Sequence, residues 1–196
     1  MAEEAGDSPA AADRERVVLN VGCGYAPRTR LHPYFQDGPW REVRLDIDPA
    51  VHPDICCSMT DMAPVGTGSV DAVWSSHNLE HLHRHEVPAA LGEFCRVLRP
   101  RGMLLLTLPD LQRVAEMVAK DELESEAYMS PSGPITPLDM IFGHTASLAL
   151  GRIHMAHKTG FTATSLQKLL AEAGFVEVEL RRAPFDLWAR AHKPAG

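Results

Sequence analysis

The sequence predicts an α/β domain built on a doubly wound, mostly parallel seven-stranded sheet, and three observations support this. Short runs that are almost wholly apolar, residues 17–21 and 103–108, suit strands covered on both faces. Between two such runs, residues 86–98 place apolar side chains at three- and four-residue steps, as a helix connecting parallel strands would. Glycines, acids and histidines follow the ends of the strand runs, where sheets of this kind hold ligands.

Residues 1–16, acidic and alanine-rich, read as a disordered leader, and 17–196 as one domain. After the first strand at 17–21 comes a loop or helix through 28–35, then a second strand at 43–47. Pro49 and Pro53 frame a link to a short third strand at 55–57, and 70–76 form a fourth, buried enough to carry Trp74. The helix at 86–98 shows Val87, Ala90, Leu91, Phe94, Val97 and Leu98 on one face; Pro88 is tolerated in its first turn and Pro100 stops it. A fifth strand follows at 103–108.

From 109 to 160 the periodicity weakens. Residues 111–119 suit a helix, but Met129-Ser130-Pro131-Ser132-Gly133-Pro134 is loop chemistry. A long irregular stretch carrying His144, His154, Met155 and His157 reads as a substrate-side cover. Thr164 and Gln167 then form a capping box for a helix with Leu166, Leu169, Leu170 and Ala173 on one face, ended by Gly174. Two strands, 176–180 and 186–191, close the sheet.

A chain of 196 residues buries a core without staples. No run approaches the roughly 20 apolar residues of a membrane span, and the acidic start lacks the features of a signal peptide, so a cytoplasmic protein is expected. Cys23, Cys56, Cys57 and Cys95 show no C-x-x-C spacing and read as reduced thiols. A net charge of −7 argues against a nucleic-acid groove; Arg181, Arg182, Arg190 and Lys193 fit edge-strand solubility.

The most specific signal joins Gly22-Cys23-Gly24, after the first strand, to Asp46, at the end of the second. The glycines permit close backbone approach, and a carboxylate at the second strand end can accept from both hydroxyls of a ribose. A dinucleotide loop needs a third glycine where Pro27 stands, so an adenosine ligand without a pyrophosphate, S-adenosylmethionine, fits better than a nicotinamide cofactor.

Four motifs in order carry a family resemblance: Val18-Leu19-Asn20-Val21-Gly22-Cys23-Gly24; Leu45-Asp46-Ile47-Asp48-Pro49; Ser69 through His81, ending in Leu79-Glu80-His81; and Glu93-Phe94-Cys95-Arg96-Val97-Leu98-Arg99-Pro100-Arg101-Gly102. Over 17–108 the chain resembles the class I S-adenosylmethionine-dependent methyltransferases, specifically the group with a type 11 methyltransferase domain. That resemblance implies a Rossmann-like fold with Gly22, Cys23 and Gly24 along the cofactor's methionine portion and Asn20 near its amino group. It further implies Asp46 on the ribose, Ile47 on the adenine, Asp61 and the Met62 backbone at the adenine edge, and Ser76 and His77 on the sulfonium side. Asn20 stands where the family has an acid, and Arg101 where it has glycine.

The implied reaction moves a methyl group to a small-molecule, glycan or metabolite acceptor, with His77 first and His157 second as groups contacting it or acting as base. The alternative is a noncatalytic partner or regulatory subunit with the same fold. His77-Asn78-Leu79-Glu80-His81 also matches H-x-x-E-H, a zinc-protease pattern. It follows a strand directly and coincides with the Leu-Glu-His signature, so no metal site is expected; His83 and His85 read as solvated linker. Met140 and Met155 suit either an adaptable acceptor pocket or core filling.

Overall fold

In the computed structural model, which describes residues 15–25 and 31–196, the first apolar run becomes β1 (Arg16–Val21). The leader through residue 14, Pro27 and the part of the first connection at 28–30 lie outside the described residues. The rest of that connection holds a single 3-10 turn, Pro33–Phe35. Then come β2 (Trp40–Asp46), β3 (Ile55–Cys56), β4 (Val70–Ser76), α1 (Val87–Val97) and β5 (Leu98–Pro109). The second half contains α2 (Leu111–Val118), a hairpin of β6 (Tyr128–Ser130) and β7 (Gly133–Ile135), α3 (Pro137–Phe142), α4 (Thr145–Ala149), α5 (Ala163–Glu172), β8 (Val176–Arg182) and β9 (Asp186–His192).

Seven strands form one sheet in the order β3-β2-β1-β4-β5-β9-β8. Pairings from β3 to β5 are parallel, and β9 pairs antiparallel with both β5 and β8. The chain order reverses between β1 and β4, and the crevice beyond their carboxyl ends is where such a sheet receives a ligand.

Alternation along the strands sorts the core into two layers. Leu19, Val73 and Leu104 align across β1, β4 and β5 and pack with the apolar face of α1, Val87, Ala90, Leu91, Phe94 and Val97, and with Leu166 and Leu170 of α5. Val18, Ala72 and Met103 point the other way, against Leu31, Phe35 and Trp74, and Trp74 stacks on Trp188 at 5.9 Å. α1 ends because Leu98 turns extended and runs straight into β5, five residues earlier than the apolar run. Arg101 there adopts φ 61°, a left-handed conformation that glycine takes more readily than arginine.

Two expectations shift. The α5 capping box is Thr162 with Ser165, so the helix begins ahead of Thr164: the Ser165 hydroxyl accepts from Thr162 N–H at 2.9 Å, and Thr162 Oγ1 accepts from Ser165 N–H at 3.3 Å. Gly174, φ 89°, closes it as expected. The cover is also far more ordered in secondary structure than its weak periodicity suggested, holding the hairpin, α3 and α4. Asp139 organises it. Its carboxylate accepts from Thr136 N–H (3.1 Å), Thr136 Oγ1 (2.8 Å) and Thr145 N–H (2.8 Å). Burial opposes ionisation, but these donors outweigh it and bring the pKa down to about 2.

A carboxyl depressed in this way stabilises the fold fully above its unfolded pKa of about 3.9 and loses that contribution as pH falls toward about 2. Asp139→Asn is therefore expected to destabilise the cover by about 1–2 kcal/mol at pH 7 and to flatten its acid sensitivity between those values. Hydrogen exchange across 137–149, measured at both ends of that range, checks it. No helix among the described residues is long and apolar enough to cross a membrane.

Candidate active site

The loop after β1 is shaped by two left-handed glycines, Gly22 at φ 68° and Gly24 at φ 55°. Gly22 and Cys23 N–H both donate to Leu45 O, at 2.8 and 3.2 Å, fastening the loop to the end of β2. Asp46 completes the brace: Oδ2 accepts from Gly24 N–H at 2.8 Å and Oδ1 from Asp48 N–H at 3.0 Å. Each oxygen can take a further donor, so Asp46 stays able to bind hydroxyls while held rigid. Ile47, 61% exposed, offers a bare apolar face on the same wall.

The opposite wall comes from the end of β4. Asn78, nearly buried, donates through Nδ2 to Val21 O (2.8 Å), Ser76 O (2.9 Å) and Ser75 Oγ (3.2 Å), joining the ends of β1 and β4. It packs so closely that a Cβ on Gly22 would fall 1.9 Å from Asn78 Oδ1. His77 is held in a left-handed turn, φ 54°, by its N–H bond to Thr107 O of β5. Its ring stands between two carboxylates, with Nδ1 3.4 Å from Glu80 Oε1 and Nε2 3.6 Å from Asp186 Oδ1. Burial would lower the His77 pKa, but the two carboxylates outweigh it and raise it. Burial in turn raises that of Asp186. For Glu80 burial also pushes upward, but the surrounding imidazoles of His77, His81 and His157 win and hold its carboxyl below the usual range.

Between these walls lies a cleft of about 500 Å³, also lined by Ser58 and Met59 after β3 and closed on the cover side by Arg152, His154, Met155 and Lys158. The Arg152 guanidinium sits 5.7 Å from the Tyr25 ring centroid, linking the cover to the glycine loop. A second cavity of about 250 Å³ adjoins it, lined by Glu80, Leu111, Met140, Phe142, His157 and Lys158 among others. Lys158 borders both.

Of the residues expected at the site, Gly22, Gly24, Asp46, Ile47, Ser76 and His77 line the cleft. His157 lies in the second cavity instead, with Nδ1 donating to Met140 O at 2.8 Å. Four others do not reach the wall. Asn20 faces the Trp74 side of the sheet by alternation and donates to Glu42 Oε1 on β2 at 2.7 Å. The Cys23 side chain is buried, and burial pushes its thiol up to about 11, the state of an inert packing residue. Met62 is fully buried and its N–H donates to Glu93 Oε2 at 2.6 Å, while Asp61 Oδ1 accepts from Ala63 N–H at 3.3 Å. Ser58 and Met59, which follow β3, line the cleft. Met140 and Met155 both border cavities. In the sequence, Asn78 and Glu80 stand only as members of a motif and Asp186 only as a strand residue, with none of them assigned to the site; the polar residues directly after β4 were the available signal for the first two.

Residues 19–106, just under half of the chain, match the family described as Methyltransferase domain. No curated protein sequence matches the chain. Among solved structures, the fold is similar to a Bordetella parapertussis protein described as a possible exported protein, at 18% identity and TM-score 0.61, over 92% of this chain and 62% of that one. This chain thus spans less than two thirds of that protein's length. A second similar structure is Burkholderia thailandensis 1,6-didemethyltoxoflavin-N1-methyltransferase with bound 1,6-didemethyltoxoflavin and S-adenosylhomocysteine, at 18% identity and TM-score 0.55, over 92% and 72% of the two chains. A third is an S-adenosylmethionine-dependent methyltransferase from Methanosarcina mazei, at 14% identity and TM-score 0.61, over 94% and 96%. Identities at this level establish a common fold.

Proposed function

We propose that this chain, which carries a methyltransferase domain match in the fold shared with S-adenosylmethionine-dependent methyltransferases, transfers a methyl group from that cofactor to a small-molecule acceptor. One observation carries the reading: the Gly22–Gly24 loop, Asp46 and bare Ile47 face Ser76 and His77 across a single cleft at the point where strand order reverses. The cleft, at about 500 Å³, falls within the size range of sites for ligands of this kind.

The residues fit the cofactor. Asp46 has acceptor capacity left for a ribose, Ile47 offers an apolar surface for a flat base, and Gly22 and Gly24 present bare backbone. When bound, the cofactor supplies an electrophilic methyl group on a sulfonium centre. The chain's own contribution is alignment and exclusion of water. Arg152, His154 and Met155 close the cleft, and Ser76 and His77 hold the acceptor beside it. His77, oriented by Glu80 and Asp186, receives the proton that an O–H or N–H acceptor releases. The adjoining cavity of about 250 Å³, bounded by Met140, Phe142 and Leu111, suits a compact acceptor. With Cys23, Cys56, Cys57 and Cys95 all free thiols, a reducing cytoplasm suits the chain.

Calorimetric titration with S-adenosylhomocysteine tests the cofactor reading at one residue. Asp46→Ala should weaken binding by about 1–3 kcal/mol, roughly 5- to 150-fold. Unchanged affinity refutes the assigned role of Asp46.

A further inference from the structure

Glu80, His81 and His157 converge beside the cleft, the first two from the 3-10 turn Leu79–His81 and the third from the cover. One ligand atom from each lies within 4.8 Å of the other two. Glu80 is 1% exposed, and neither carboxylate oxygen accepts a hydrogen bond among the described residues. The His77 ring, with Nδ1 3.4 Å from Oε1, faces one of these oxygens, and a cation beside the pair would offset the cost of burying the carboxylate.

Both imidazoles are aimed by their other nitrogen. His81 Nδ1 bonds Ala156 O at 3.2 Å and His157 Nδ1 bonds Met140 O at 2.8 Å. A carbonyl oxygen only accepts, so Nδ1 carries the proton in each ring and Nε2 presents its lone pair. Metal-binding histidines are oriented in this way. The supporting backbone is itself tied down, since Lys158 N–H donates to Glu80 O at 2.7 Å and His157 N–H to Phe142 O at 3.1 Å. The two rings meet edge to face with centroids 4.9 Å apart.

We propose that Glu80, His81 and His157 bind a divalent first-row transition ion of the zinc type, in the wall between the cofactor cleft and the second cavity. Two imidazoles and one carboxylate form a donor set that such ions accept while a further position stays open. Bonds of about 2.0–2.2 Å around a tetrahedral ion separate its ligands by roughly 3.3–3.6 Å, so each side-chain atom moves by less than about 1 Å to close the site. This is not the ligand set of H-x-x-E-H: His77 lies at the cleft wall beside Asp186, and the second histidine comes from the cover. His81 borders the cleft, while Glu80 and His157 border the second cavity, so the ion is placed to hold an acceptor oxygen or nitrogen between them. That use rests on the methyl-transfer reading; the site itself does not.

The test uses the full chain, stripped with a chelator and titrated with zinc chloride by calorimetry. One ion per chain is expected, and Glu80→Gln, His81→Ala and His157→Ala should each weaken its binding by at least about 100-fold. The stacked pair His83 and His85, centroids 5.7 Å apart, is the competing surface chelate, and the double variant His83→Ala/His85→Ala should retain the ion. In the wild type itself, zinc should shift the imidazole NMR resonances of His81 and His157 and leave those of His83 and His85 in place. No stoichiometric uptake overturns the proposal, as does uptake lost in the surface double variant and kept in Glu80→Gln. S-adenosylhomocysteine is titrated in parallel: its binding without zinc uptake rejects the metal site alone, and zinc uptake without its binding rejects the methyl-transfer reading alone.

Discussion

Gly22→Ala is expected to destabilise the chain by about 3 kcal/mol, because two costs coincide at one Cβ. A left-handed backbone, φ 68° here, costs about 1–2 kcal/mol for an ordinary residue. Overpacking adds about 1–3 kcal/mol, since the new methyl falls 1.9 Å from Asn78 Oδ1, in a side chain pinned by bonds to Val21 O and Ser76 O. Neither partner can retreat cheaply. The loop must shift, and every 1.4 kcal/mol of binding free energy that the shift removes lowers S-adenosylhomocysteine affinity about tenfold. A double-mutant cycle isolates the steric part: in an Asn78→Ala background the same substitution should cost about 1–3 kcal/mol less, leaving mainly the backbone strain. Equal costs in the two backgrounds, read by chemical denaturation, contradict the packing account.

The second large effect is at His77. With an acceptor that the wild type methylates, His77→Ala should lower kcat by about 10²- to 10⁴-fold, the range for a positioned acid or base. S-adenosylhomocysteine affinity should stay within about threefold if, as proposed, the residue serves the acceptor and not the adenosine. Its backbone N–H bond to Thr107 O survives the change, so the loop keeps its course. A variant that loses cofactor binding along with turnover would make His77 a structural residue of the cleft.

Local pattern made the sheet legible. Residues 17–21, 70–76 and 103–108 are strands because each run is apolar enough to be largely buried, and Gly22, Asp46, Ile47, Ser76 and His77 reach the cleft because each lies at a strand's carboxyl end or directly after it. Strand alternation puts Asn20 on the face of Trp74, while Val21 lines the cleft. Met62 is apolar and fully buried, which agrees better with core than with a ligand-binding role. The cover was obscured by local chemistry, since Ser130 to Pro134 reads as a loop and hides a hairpin followed by the Thr136–Asp139 capping box. The meeting of Glu80 and His81 with His157 depends on how that cover folds back on β4, and no local sequence pattern encodes it. Asp186 was legible only as the first residue of a strand; its place beside His77 follows from the antiparallel pairing of β9 with β5.

The most direct test of the central claim is calorimetric titration of the wild-type chain with S-adenosylmethionine, S-adenosylhomocysteine and NAD. Binding of the first two at one site per chain, with no binding of NAD, is the predicted result. Failure of both sulfur nucleosides to bind would contradict it.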